Sequence, residues 1–159
     1  MAEILPDSAR ARIKAGQLLR SGGLVAFPTD TLYGLGAMLN HPRAIERLFA
    51  IKGRSFSKGL PILVKSMDQT RNLVSNFPAL AVDFARQFWP GALTMILPKH
   101  NSVPIGITGS TTIAIRQPDH PSALALISEC GSPITGTSAN LSGMTPSINA
   151  QEVLKQLGE

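Results

Sequence analysis

A chain of 159 residues, 43% hydrophobic and 16% charged with a formal net charge of +5, has the size of one domain that buries roughly 70% of its unfolded surface. Such a composition excludes disordered and fibrous classes, no apolar run approaches the roughly 20 residues that span a bilayer, and one cysteine and three scattered histidines supply neither an internal disulfide nor a zinc site of recognised spacing. The basic balance, with an isoelectric point near 9.9, favours anionic partners, and a nucleotide fits it as well as RNA does.

In chain order, Asp7 is placed to cap a first helix that runs to Arg20 and ends at Gly22-Gly23. Residues 24–27 (Leu-Val-Ala-Phe) have strand composition and stop at Pro28, which cannot donate to a ladder. Residues 29–37 read as a loop. A helix over 43–51, begun by Pro42, carries Ile45, Leu48 and Phe49 at helical spacing and stops at Gly53. Residues 60–64 read as a buried strand, and 67–74 and 79–88 as helices, the second closed before Trp89-Pro90-Gly91. Strands over 93–97 and 112–116 follow, then a helix near 122–130, a strand at 134–135 and a last helix over 150–157. This alternation, without internal repeat or low-complexity linker, predicts a single mixed α/β domain over 1–159. Cys130, in an apolar helical pattern with Leu124, Leu126 and Ile127, reads as a buried structural thiol. The N-terminus has acids and a proline where a secretory core would be apolar, so the chain reads as soluble and cytoplasmic.

Four polar clusters carry the chemistry. Residues 27–37 read Phe-Pro-Thr-Asp-Thr-Leu-Tyr-Gly-Leu-Gly-Ala. They set the hydroxyls of Thr29, Thr31 and Tyr33 and the carboxylate of Asp30 at the end of a buried strand, the usual ligand position in an α/β sheet. The plain alternative is a turn whose side chains cap local amides. Lys52-Gly53-Arg54, with Ser55, Ser57 and Lys58, gathers three cations within seven positions. A helix end suits such cations and also projects them towards phosphates. Residues 111–116 deliver Arg116 at the end of a β-prone run, and residues 133–143 hold Thr135, Gly136, Thr137, Ser138, Asn140 and Ser142. Asn140-Leu141-Ser142 also spells a glycosylation sequon, which carries no weight without a secretory signal. No Walker A pattern occurs, so a nucleotide is not held in P-loop fashion.

The order of these clusters resembles the YrdC-like family, the threonylcarbamoyl-AMP synthases. The resemblance runs from about Gly22 to Ser147 through five segments. These are Phe-Pro-Thr-(Glu/Asp)-Thr-x-Tyr-Gly-Leu-Gly at 27–36, Lys-x-Arg at Lys52 and Arg54, Trp-Pro-Gly-x-Leu-Thr at 89–94, Arg-x-Pro at Arg116 to Pro118, and Ser-Ala-Asn-x-Ser-Gly at 138–143. It implies a twisted mixed sheet flanked by helices around a concave, positively charged cleft. It also implies that L-threonine, bicarbonate and ATP are joined into L-threonylcarbamoyladenylate with release of pyrophosphate. That nucleotidyl transfer begins N6-threonylcarbamoyladenosine formation at position 37 of ANN-decoding tRNAs. An anion then attacks a polyanion, which calls for positive charge and positioning more than for a strong base.

By the same resemblance Lys52 and Arg54 hold the triphosphate and serve the catalytic step, with Lys58 near phosphate. Thr112 and Ser138 give hydroxyl hydrogen bonds to ATP, with Asn140 beside them. Arg116 clamps the threonine carboxylate, where a planar fork fits bidentately. Thr31 and Gly136 belong to the threonine site, and Tyr33 shapes it. No residue is assigned to a metal, since Mg²⁺ is expected to bind through the triphosphate and water. Trp89 reads as a structural anchor and His120 as a helix-start residue. Family members continue into a strand with a Ser-Thr-(Val/Ile)-x-Asp-like segment, whereas this sequence stops at Gly158-Glu159. Some also have a histidine soon after Lys-x-Arg, and here none falls between His41 and His100. Implied partners are a threonylcarbamoyl-transferase complex and tRNA, with no membrane. Alternatives are an RNA-binding module without full synthase activity, a carbamoyl-adenylate-handling domain of hydrogenase-maturation type, and a subunit that docks on the transferase.

Overall fold

The computed structural model describes residues 2–158. Among them are five α-helices, seven strands and one 3₁₀ helix. Helix α1 (Ala9–Arg20) is capped by Ser8, whose hydroxyl accepts from Ala11 N at 3.2 Å. The expected cap, Asp7, is engaged elsewhere. Its carboxylate takes a two-pronged contact from Arg12 (Nε 2.7 Å, Nη2 2.9 Å) and the Ser122 hydroxyl, tying α1 to the start of α4 (Pro121–Cys130).

Strand β1 (Val25–Pro28) turns back into β2 (Tyr33–Gly36), so the segment expected to be a loop is a hairpin with residues 29–32 at its tip. Tyr-Gly-Leu-Gly has poor strand composition, and pairing on both sides makes it one: β1-β2-β7 is the sheet order, with β7 spanning Thr137–Ser138. Pro28 closes the edge strand opposite Tyr33, where the missing donor costs little.

Helix α2 (Pro42–Lys52) begins with Pro42 in its first turn and ends at Gly53, whose φ of 56° is a left-handed cap that favours glycine. The second sheet has the order β4-β5-β3-β6, with β3 (Ile62–Leu63) parallel to β5 (Thr112–Arg116) and antiparallel to β6 (Ile134–Thr135). Strand β4 (Met95–Pro98) starts two residues later than expected, and β3 shrinks from 60–64 to two residues. Its flanks Leu60 and Val64 bond to Ile107 O and Arg116 O instead. Residues 67–74 form only a 3₁₀ turn (Met67–Thr70). Helices α3 (Ala79–Phe88) and α5 (Ala150–Leu157) have the expected bounds.

The single sheet that was expected is thus two ladders. They meet where β6 passes into β7 through Gly136 alone, and Thr135 N donates to Ala37 O at 2.9 Å. A Cβ on Gly136 would overlap the Leu63 side chain, so this crossing requires glycine. One core lies under α2 and the four-stranded sheet, with Leu48, Phe49, Ile62, Ile107, Ile113 and Ile115 fully enclosed. A second lies between α1 and α4 and holds Cys130, whose thiol burial pushes up to about 11. Trp89 is buried and donates Nε1–H to Leu93 O at 2.7 Å, an anchor for the turn into β4.

Candidate functional site

The hairpin tip divides its side chains between two tasks. Thr29 Oγ1 donates to Leu32 O at 2.6 Å and accepts from the amides of Thr31 and Leu32 at 3.2 Å, which closes the turn locally. Asp30 and Thr31 face Arg116. The Arg116 guanidinium donates Nε–H to Gly91 O at 2.9 Å, Nη1–H to Thr31 Oγ1 at 2.9 Å and Nη2–H to Asp30 Oδ1 at 2.5 Å. Of its five N–H groups, one on each terminal nitrogen remains. These directions also set the polarity of Thr31. Arginine has only hydrogens to give, and the Thr29 hydroxyl hydrogen is spent on Leu32 O. The Thr31 hydroxyl therefore accepts from Arg116 and takes no proton from Thr29, keeping one lone pair, while the two lone pairs of Thr29 Oγ1, 3.2 Å away, are already taken by the amides of Thr31 and Leu32.

Lys52 falls on the buried face of α2, in line with Ile45, Leu48 and Phe49, and is 2% exposed. Its ammonium donates to the carbonyls of Ser138 and Asn140, the latter at 2.5 Å, while its own carbonyl accepts from Ser142 N at 2.8 Å. Burial, with the nearby Arg54 charge adding to it, pushes its pKa down to about 8, so it remains protonated at neutral pH. Arg54 folds residues 54–59 into a closed loop, donating Nε–H to Lys58 O at 3.0 Å and Nη2–H to Gly59 O at 2.9 Å. Burial lowers its pKa as well. In this geometry both cations are turned onto backbone carbonyls, leaving one N–H on Lys52 and three on Arg54. The side-chain exposure of Arg54 makes it the more accessible of the two.

Strand β7 carries Ser138 opposite Gly34 of the hairpin, and Ala139 N donates to Tyr33 O at 2.8 Å. Asn140 is 5% exposed, and its amide donates to Leu141 O at 2.9 Å and Met144 O at 2.7 Å, shaping the loop after β7. Among the described residues its Oδ1 has no hydrogen-bond partner. Gly136 donates its N–H to Pro61 O at 2.9 Å beneath the same strand.

Arg116 thus joins the hairpin tip to the Trp-Pro-Gly turn, and Lys52 joins α2 to the loop at 138–142, which meets the hairpin at its stem through Tyr33 and Gly34. Thr112 stands at the other end of β5, its hydroxyl 3.1 Å from that of Ser110. It shares the half-exposed face of the strand with Ala114 and Arg116, roughly 13 Å from the arginine at strand rise. Lys58 is exposed, with its amide bonded to Ser55 O. Surface concavities of about 530 and 360 Å³ lie elsewhere, one lined by His41, Arg43 and Arg47, the other by Arg71, Phe77 and Val82. The sequence reading gave no role to Asp30 or to the Gly91 carbonyl. A carboxylate between two threonines was the available signal for the first, while a backbone acceptor leaves none.

The Sua5/YciO/YrdC family model, described as telomere recombination, matches residues 17–159. A threonylcarbamoyl-AMP synthase of Bacillus subtilis is 43% identical over 146 residues, which are 91% of this chain and 42% of that protein. One of Photobacterium profundum is 36% identical over 144 residues, covering 89% of this chain and 78% of that protein. The solved structure of P. abyssi Sua5 complexed with L-threonine superposes with a TM-score of 0.92 at 40% identity, over 96% of this chain and 45% of that one. The chain therefore spans less than half the length of two of these relatives and about three quarters of the third.

Proposed function

The chain belongs to the Sua5/YciO/YrdC family, and we propose that it makes L-threonylcarbamoyladenylate from L-threonine, bicarbonate and ATP. The observation that carries this reading is the seat of Arg116. Held at three nitrogens, the guanidinium keeps two N–H groups, the number that the two oxygens of a carboxylate accept. Thr31 keeps an acceptor lone pair beside it, suited to an amine or hydroxyl donor. An arginine donor pair next to an acceptor matches an α-amino acid. The names of the relatives and the threonine in the P. abyssi Sua5 structure support threonine as that amino acid.

Along the face of β5, the small Ala114 leaves room between the Arg116 end and the Thr112 end. That span suits an amino acid at one end and a nucleotide at the other. Threonine's amine and bicarbonate give a carbamate with loss of water, and the carbamate oxygen then displaces pyrophosphate at the α-phosphate of ATP. Arg54, with the remaining N–H of Lys52 and with Lys58, faces the triphosphate, while Ser138 and Thr112 hydrogen-bond the nucleotide and Asn140 holds the loop that follows Ser138. Gly136, packed against Leu63, lets the chain cross close to the threonine side, and Tyr33 borders it. Mg²⁺ accompanying ATP would take its ligands mainly from phosphate and water and neutralise charge there.

The product is a reactive mixed anhydride, which fits a cytoplasmic enzyme that hands it to a threonylcarbamoyl transferase acting on position 37 of tRNA. Among the described residues no helix is long and apolar enough to cross a membrane. The test is incubation with ATP, Mg²⁺ and bicarbonate plus either threonine or carbamoyl phosphate, following pyrophosphate and the adenylate by mass. Threonine-dependent pyrophosphate release is expected. Release with carbamoyl phosphate instead would favour a carbamoyl-adenylate role, and salt-sensitive tRNA binding without turnover an RNA-binding one.

A further inference from the structure

Asp30 has no part in the assignments above, yet its carboxylate meets the requirements of a positioning group. We propose that Asp30 aims the Arg116 guanidinium at the substrate carboxylate and locks the hairpin tip to the end of β5. The proposal rests on the reading of Arg116 and Thr31 as the amino-acid-binding pair.

A guanidinium on a flexible stem clamps a planar carboxylate well only when its own plane is held. Two of its three holders, the Gly91 carbonyl and the Thr31 hydroxyl, are neutral. Asp30 is the charged one, and its contact at 2.5 Å is the shortest of the three. The two side chains are largely enclosed, with exposures of 12% for Arg116 and 19% for Asp30, although residue 30 as a whole is exposed at the hairpin tip. Exchange with water competes less there than at an open surface pair. The same Oδ1 accepts from Asp119 N at 3.1 Å. One carboxylate oxygen therefore joins the tip at residue 30 to both the last residue of β5 and the segment that follows it. Because Arg116 also donates to Thr31, whatever turns the guanidinium turns the Thr31 lone pair too. Asp30 thereby governs both polar groups offered to the amino acid without touching it.

Asp30→Ala would leave a largely enclosed cation unpaired and could unfold the region, so the test uses the isosteric Asp30→Asn and the charge-keeping Asp30→Glu. The first readout needs no substrate: the Arg116 Nε–H cross-peak in a ¹⁵N-labelled sample, identified by its loss in Arg116→Lys. In the unsubstituted protein it should be dispersed and slow to exchange with water. In Asp30→Asn it should exchange at least about tenfold faster while amides far from the tip keep their shifts. The second readout is calorimetry, in which Asp30→Asn should weaken threonine binding at least about tenfold, the worth of one charge-assisted hydrogen bond. ATP binding should change less than about threefold, and Asp30→Glu should recover most of the threonine loss. An unchanged Arg116 signal in Asp30→Asn would overturn the proposal, as would a drop in melting temperature with threonine affinity intact. If the unsubstituted protein binds no threonine, the amino-acid reading fails, and the exchange of the Arg116 signal still decides whether Asp30 positions it.

Discussion

Lys52→Met tests the buried ammonium through the pH dependence of stability. The replacement keeps an unbranched side chain of similar length inside α2, removes the titrating group and leaves the carbonyls of Ser138 and Asn140 without their donor. Lys52 titrates near 8 in the fold against 10.5 in the open chain. Between those values the unfolded chain binds the proton more fully than the folded one, so the contribution of Lys52 to stability rises with pH across the window. At about 1.4 kcal/mol per unit, the whole shift is worth about 3.5 kcal/mol, of which about 2–3 kcal/mol falls between pH 8 and 10.5. Cys130, raised to about 11 by burial, works in the opposite direction above pH 9, but it is common to both proteins and cancels in their difference. Urea unfolding followed by far-UV circular dichroism and by the fluorescence of the lone tryptophan, Trp89, gives that difference at each pH. The stability of the unsubstituted protein relative to Lys52→Met should climb by about 2–3 kcal/mol from pH 8 to 10.5. A difference that stays flat or declines would refute the lowering of the Lys52 pKa by burial.

Three further outcomes are expected. Gly136→Ala places a Cβ against the Leu63 side chain, overlapping its inner carbons and reaching Cδ2 at 2.9 Å. It should cost about 1–3 kcal/mol, seen as a melting temperature lower by about 2–4 °C per kcal/mol. Asp7 is held near 2 first by its hydrogen bonds from Arg12 and then by that from Ser122. Asp7→Asn should therefore be slightly less stable at neutral pH, by at most about 1 kcal/mol for so exposed a pair, with the deficit disappearing as acid titration passes from 3.8 to about 2. Arg116→Lys keeps the charge but loses the fork, so the KM for threonine should rise about tenfold or more while that for ATP changes little. The reverse pattern would move Arg116 to the nucleotide.

Segments with continuous local signals were legible in the sequence. Helices 79–88 and 150–157 and strands 112–116 and 134–135 have the bounds expected from apolar periodicity and flanking breakers. Strands β2 and β7 were not, because Tyr-Gly-Leu-Gly becomes a strand between β1 and β7, and Thr-Ser becomes one by pairing with β2 across more than a hundred residues. That pairing also divides the expected single sheet into two. Motif membership of Lys52 was visible and its direction was not, although Ile45, Leu48, Phe49 and Lys52 share one helical face and so already place it inward. For Asp30 the sequence offers a carboxylate, and only the fold brings Arg116 to it from 86 positions away.

The central claim is that the separated motifs form one site with an amino-acid end and a nucleotide end, and backbone amide shift mapping on the ¹⁵N-labelled 16.9 kDa chain tests it most directly. Threonine alone should move the amides of Thr31, Arg116 and Gly136, and ATP with Mg²⁺ should move those of Arg54, Lys58, Thr112, Ser138 and Asn140. Shifts that scatter away from these residues, or both ligands moving the same set at the Arg116 end, would contradict it.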